Sequence, residues 1–169
     1  RKITMCNPGT IKDIESTYDK ISINPKEIKI KWEEGFSEQI SDTVNNIIFQ
    51  NASQNSSPVM EMFQLIALNE FKGFSGTNNE IIILSDMIQN TDGISMYQNN
   101  LPSFSTFKKS EYFSKVKTNL SKNVSIKLLI IKRDGSRKMQ ENKYFTNFWA
   151  QFFVNGNKAE DFKITFVDG

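Results

Sequence analysis

Two apolar runs, IIIL at 81–84 and IKLLII at 126–131, restrict the fold more than any other feature of the chain. Each has the length of a strand, is rich in isoleucine, and is too continuously apolar for a strand with one wet face. Strands of this kind belong inside a parallel sheet, where crossover segments cover both faces. The intervening sequence supplies helical crossovers. Trp32, Phe36, Ile40, Val44, Ile47 and Ile48 recur at steps of three and four, which predicts a helix from about 25 or 29 to about 49 with these side chains on its buried face. Ser57 before Pro58 predicts a second helix, with the hydroxyl at the N-cap and proline at the first helical position. Val59, Met62, Phe63, Ile66 and Ala67 continue its spacing. Further helices are expected over about 109–121, from Phe113, Val116 and Leu120, and around 144–153, from Phe145, Phe148, Trp149, Phe152 and Phe153. A closing strand is expected at 163–167, and KITMC at 2–6 reads as a strand entering the Asn7-Pro8-Gly9 turn. The alternation predicts an α/β fold: a doubly wound, mostly parallel sheet with helices on both faces, in one domain over residues 1–169.

Composition removes several chemistries. The chain has no histidine and one cysteine, Cys6, which excludes an intramolecular disulfide, a Cys/His zinc site and any triad that needs an imidazole. Carboxylate, hydroxyl and amide groups remain, a set suited to hard cations such as magnesium. The formal charge of +2 gives no reason to expect nucleic acid or an anionic membrane as a partner. No apolar run approaches the roughly 20 residues of a membrane span, so a soluble, cytoplasmic protein is expected. Arg1 opens the sequence without an initiator methionine, which leaves the true N-terminus open.

In a doubly wound sheet, ligands bind beyond the C-terminal ends of the strands, here the loops after Cys6, Leu84 and Ile131. Asp86 follows the first apolar run. Its carboxylate can hold a cation, or it can fix the following turn. Ser57 carries the same ambiguity between a cation-ligating hydroxyl and a helix cap. The long polar segment 91–107, with Gly93 and Pro102, should lie near the same edge. Lys132, Arg133, Arg137 and Lys138 around the Asp134-Gly135 turn read as a solvated loop, and the aromatic face of the 144–153 helix reads as core.

Four stretches in this order carry a resemblance: Cys6-Asn7-Pro8-Gly9; Ser57-Pro58-Val59-Met60-Glu61; the run from Ile82 to Asn90 (ILSDMIQN after Ile82); and Phe148-Trp149 with Phe152-Phe153 and Gly156. Together they resemble the von Willebrand factor type A domains, in particular a bacterial, intracellular-looking branch. Such domains build a metal-ion-dependent adhesion site from three loops. Carried over by position, the resemblance implies that Ser57 is the second-loop hydroxyl and Asp86 the third-loop carboxylate of a magnesium site. The first loop, Asp-x-Ser-x-Ser, does not occur in this sequence, so the first strand and its loop are expected upstream of residue 1. The function implied is metal-assisted protein binding, with a protein partner whose carboxylate completes the cation's shell. Two other readings stay open: a metal-dependent hydrolase or phosphoryl-transfer enzyme using Asp86, with Asp92 and Asp134 in neighbouring loops, and a metal-free structural domain.

Overall fold

The computed structural model describes residues 24–49, 56–70, 79–97, 101–120 and 123–168. The strand expected at 2–6, Cys6 and the turn after it lie outside the described residues. The chain divides into two compact units, Arg1–Ser53 and Gln54–Gly169.

Within the first unit, α1 (Pro25–Phe49) occupies the span that the apolar spacing predicted. Trp32 and Phe36, one helical turn apart, stack with ring centroids 5.2 Å apart. The expected burial of this face is not found: Phe36 is 43% and Ile40 47% exposed. Spacing determines which residues share a helix face, but cover for that face is a separate matter. The side chains of Val44, Ile47 and Ile48 lie outside the described residues.

The second unit holds the sheet. Its elements run α2 (Val59–Glu70), β1 (Asn79–Ser85), the short hairpin β2 (Asn90–Thr91) and β3 (Ile94–Ser95), α3 (Phe104–Phe107), α4 (Glu111–Val116), β4 (Val124–Lys132), α5 (Arg137–Gln140), α6 (Lys143–Gln151) continued by a π-turn (Phe152–Gly156), and β5 (Asp161–Asp168). β1, β4 and β5 form a three-stranded sheet in that order, parallel throughout, with Ile81 opposite Ile126 and Leu128 opposite Ile164. The two apolar runs are therefore parallel neighbours, as their composition required. The β1–β4 connection carries α3 and α4, shorter than the single helix expected over 109–121.

Strand order advances in one direction, and right-handed crossovers of that kind emerge on one face of a sheet. Burial follows this asymmetry. Val124, Ile126, Leu128 and Ile130 of β4 are buried on one side, whereas Ile82 and Leu84 on the other side of β1 are 56% and 54% exposed. Beneath the covered face, Phe145, Phe148, Trp149, Phe152 and Phe153 are all buried and share one hydrophobic core with Phe63, Phe104, Phe107 and Phe113. Edge-to-face pairs dominate, such as Phe63 with Phe153 at 4.9 Å and Phe104 with Phe113 at 5.8 Å, the arrangement favoured by the ring quadrupole. The aromatic helix is core, as its spacing predicted. No described helix is long and apolar enough to cross a membrane.

Candidate functional site

The chain leaves β1 through two successive side-chain turns. Ser85 Oγ accepts the Met87 N–H at 3.0 Å, and Asp86 Oδ1 accepts the Ile88 N–H at 3.0 Å. Met87 takes a left-handed conformation, φ 58°, which disfavours a non-glycine residue by roughly 1–2 kcal/mol. The buried Trp149 offsets this by donating its indole N–H to the Met87 carbonyl at 3.1 Å. Asp86 is thus aimed by its own loop, and the turn-forming role is realised.

Its second oxygen has a different partner. Arg133, in the loop after β4, places Nη1 2.9 Å from Asp86 Oδ2. The Asp86 side chain is 22% exposed and that of Arg133 55%. The hydrogen bond to Asp86, reinforced by its charge, holds the guanidinium proton more firmly than usual. The Tyr97 hydroxyl lies at the outer limit of hydrogen bonding to the same Nη1, at 3.5 Å.

Gln140 locks these two loops together. It is fully buried, donates from Nε2 to the carbonyls of Asp86 and Ile131, both at 2.9 Å, and accepts the Arg133 N–H through Oε1 at 2.9 Å. One amide therefore satisfies backbone groups from the ends of both β1 and β4, which a buried loop cannot leave unpaired. Gly135, with φ 82°, turns the Arg133 loop, and Arg133, Asp134, Gly135, Arg137 and Lys138 are exposed, as expected of a solvated turn. At its far side Asp168 pairs with Lys132 Nζ at 2.7 Å and Arg137 Nη2 at 3.0 Å, and the Lys132 ammonium lowers the Asp168 carboxyl below its ordinary range.

Ser57 reaches the same end of β1 by its backbone. Its N–H donates to the Asn90 carbonyl at 2.8 Å and its carbonyl accepts the Asn90 N–H at 3.0 Å, an antiparallel bridge four residues beyond Asp86. The expected N-cap role is corrected. Helix α2 begins at Val59, and its Met60 N–H is capped by the Gln89 side chain, Oε1 at 2.9 Å. Capping from a distant residue satisfies the orphan donor as a local serine would, so the Ser-Pro signal located the helix start to within a residue but misassigned its acceptor. Ser57 lines a cavity of about 230 Å³ between α2 and β1, together with Val59, Met62, Ile66, Ile81 and Ser85; Asp86 is not part of the lining.

Gln89 organises a second polar cluster. Fully buried, it places Nε2 within hydrogen-bonding distance of Glu61 Oε2 at 3.1 Å, Thr91 Oγ1 at 3.2 Å and the Tyr112 hydroxyl at 2.8 Å, three acceptors that share its two hydrogens, while Tyr112 donates to Glu61 Oε1. Burial, and then the bond to Glu61, push the Tyr112 phenol above the usual tyrosine range. This cluster ties α2, the β2–β3 hairpin and α4 to the loop after β1. Gly93 is where the hairpin meets the Tyr112 ring: an added Cβ would fall 2.1 Å from it. The start of the 91–107 segment, the β2–β3 hairpin, thus folds against the Asp86 loop, with the Met96 N–H donating to the Gln89 carbonyl at 2.9 Å.

Sequence reading did not find Arg133, Gln140, Gln89, Tyr112 or Glu61 as site residues. The one available signal was Gln89, an amide among the otherwise apolar Met87 and Ile88 directly after a strand. A hard cation takes six or more oxygens, and among the described residues no three His, Cys, Asp or Glu side chains converge. Ser57 and Asp86 are hard donors at the same end of β1, but Asp86 already accepts the Ile88 N–H on Oδ1 and pairs with the Arg133 guanidinium through Oδ2, and Ser57 lines a cavity that Asp86 does not enter. They supply part of a shell and no more. Asp92 and Asp134, the other carboxylates at neighbouring loops, are exposed. Comparison with protein-family models, with curated proteins and with solved structures gives no match to this chain.

Proposed function

We propose that this chain is a von Willebrand factor type A-like interaction module, and that a protein partner engages it at the C-terminal edge of the sheet. In this reading Ser57 and Asp86 are two ligands of a magnesium-type ion, and a partner carboxylate helps complete its shell. The observation that carries it is positional. β1 delivers Asp86 to the edge of a parallel sheet, and the Ser57–Asn90 bridge brings the serine to that same edge. A doubly wound sheet would set a further strand beside β1 and helices over its second face; the apolar exposure of Ile82 and Leu84 supports that reading. The chemistry is ligation without turnover.

Calorimetric titration of the full-length protein with magnesium tests this. Asp86→Ala is expected to abolish binding, since it removes formal charge as well as an oxygen ligand, and Ser57→Ala to weaken it less. Magnesium affinity unchanged by Asp86→Ala would refute the assignment.

A further inference from the structure

The open face of the sheet carries charge and apolarity in a definite order. Strand register sorts its side chains into rows: Glu80, Ser125 and Asp161; then Ile82, Lys127 and Lys163; then Leu84, Leu129 and Thr165; then Ile131 and Val167. Their strand neighbours Ile81, Ile126 and Leu128 are buried in the core, which sets these rows on the other side. From the N-terminal ends of the strands the face therefore runs acidic, basic, apolar, apolar. Helix α1 presents a stripe of complementary order. Lys29, Glu33, Phe36 and Ile40 lie three or four residues apart along one side of it, all exposed, and run basic, acidic, apolar, apolar. We infer that the chain associates with a second copy of itself, the α1 stripe of one copy lying along the open sheet face of the other.

The two surfaces agree in length. From Lys29 to Ile40 the helix rises roughly 17 Å, and the four rows span roughly 20 Å along the strands. With the helix laid parallel to the strands, Lys29 falls over Glu80 and Asp161, Glu33 over Lys127 and Lys163, and Phe36 and Ile40 over the aliphatic rows. The reverse direction would set Lys29 on aliphatic side chains and Ile40 on carboxylates, so the order of charge fixes direction as well as place. The lysine row gains most. Lys127 stands directly opposite Lys163, an unfavourable cross-strand pair. Lys163 lies 3.5 Å from Asp161, and among the described residues Lys127 has no carboxylate partner. Glu33 pairs with Lys29 of its own helix at 3.7 Å, an exposed contact that costs little to exchange. Phe36 and Ile40, 43% and 47% exposed, and Ile82 and Leu84 on the sheet would cover one another. Each copy carries one stripe and one face, so a two-fold axis makes the contact twice and closes the assembly. The association requires no cation and is independent of the metal reading of Asp86.

Sedimentation equilibrium of the full chain tests this, with circular dichroism to check that each variant is folded. The wild type is expected to be a dimer at about 0.1 mM chain. Phe36→Asp, which spoils the stripe, and Leu84→Asp, which spoils the face, should each be monomeric. Mixed in equal amounts they should associate again, because one copy keeps its face and the other its stripe. Charge reversal gives a second arm on fully surface positions: Glu33→Lys and Lys127→Glu are each expected to weaken the dimer by about tenfold or more, and the two together in one chain to restore most of that loss. A wild type that stays monomeric overturns the inference. So does a dimer that persists in both aspartate variants, a mixture of those variants that does not associate, or a double reversal no tighter than the single ones. Should an aspartate variant fail to fold, the wild type and the charge reversals decide the matter alone.

Discussion

Replacing Gln140 with leucine probes the joint on which the candidate edge depends. The substitution nearly preserves volume, so it creates little cavity, and its effect comes from hydrogen bonds. Three are lost, two from Nε2 to the Asp86 and Ile131 carbonyls and one from the Arg133 N–H to Oε1, each at 2.9 Å. Net contributions of about 1 kcal/mol per bond give about 3 kcal/mol, and groups left buried and unpaired push the value upward. Water reaching the exposed Arg133 loop pulls it down, so about 2–4 kcal/mol is the expected loss. Gln140→Glu separates geometry from bonding. It keeps the shape and one acceptor, but at neutral pH it presents an oxygen to two carbonyls, so it should be at least as destabilising as leucine and should recover as the carboxyl is protonated. Urea unfolding followed by circular dichroism measures both. A loss below about 0.5 kcal/mol for Gln140→Leu would show that the loops hold without the amide and would refute the reasoning.

Two further substitutions test packing and backbone claims, beside the magnesium titration above. Gly93→Ala sets a methyl group 2.1 Å from the Tyr112 ring and is expected to destabilise by about 1–3 kcal/mol, with altered Tyr112 ring resonances; stability within 0.5 kcal/mol or so would mean the hairpin moves freely away from α4. Lys158→Gly relieves a left-handed residue, φ 64°, at an exposed position and should raise stability by about 0.5–1 kcal/mol in the same unfolding assay. A decrease would place Lys158 in an interaction its exposure does not suggest.

The sequence by itself determined the α/β class, the strand pair and the core. IIIL and IKLLII read as neighbouring parallel strands from their continuous apolarity, and they pair as such, although one face of β1 is exposed rather than covered. The aromatics at 145–153 sit beneath the sheet because a helical period gathers them on one face, and α1 spans the residues its period indicated. Whether a face is covered was not legible. Phe36, Ile40, Ile82 and Leu84 carry the pattern of buried residues and are exposed, because periodicity describes one element and burial is a property of two. Asp86 and Ser57 could be placed at the right edge from local spacing, but their partners could not. Arg133 lies 47 residues from Asp86, Gln140 lies 54, and Gln89 caps a helix 29 residues before it. Hydrogen bonds of that separation depend on how β1 and β4 are juxtaposed, and only the closed tertiary structure brings their loop ends within 3 Å of a single buried amide.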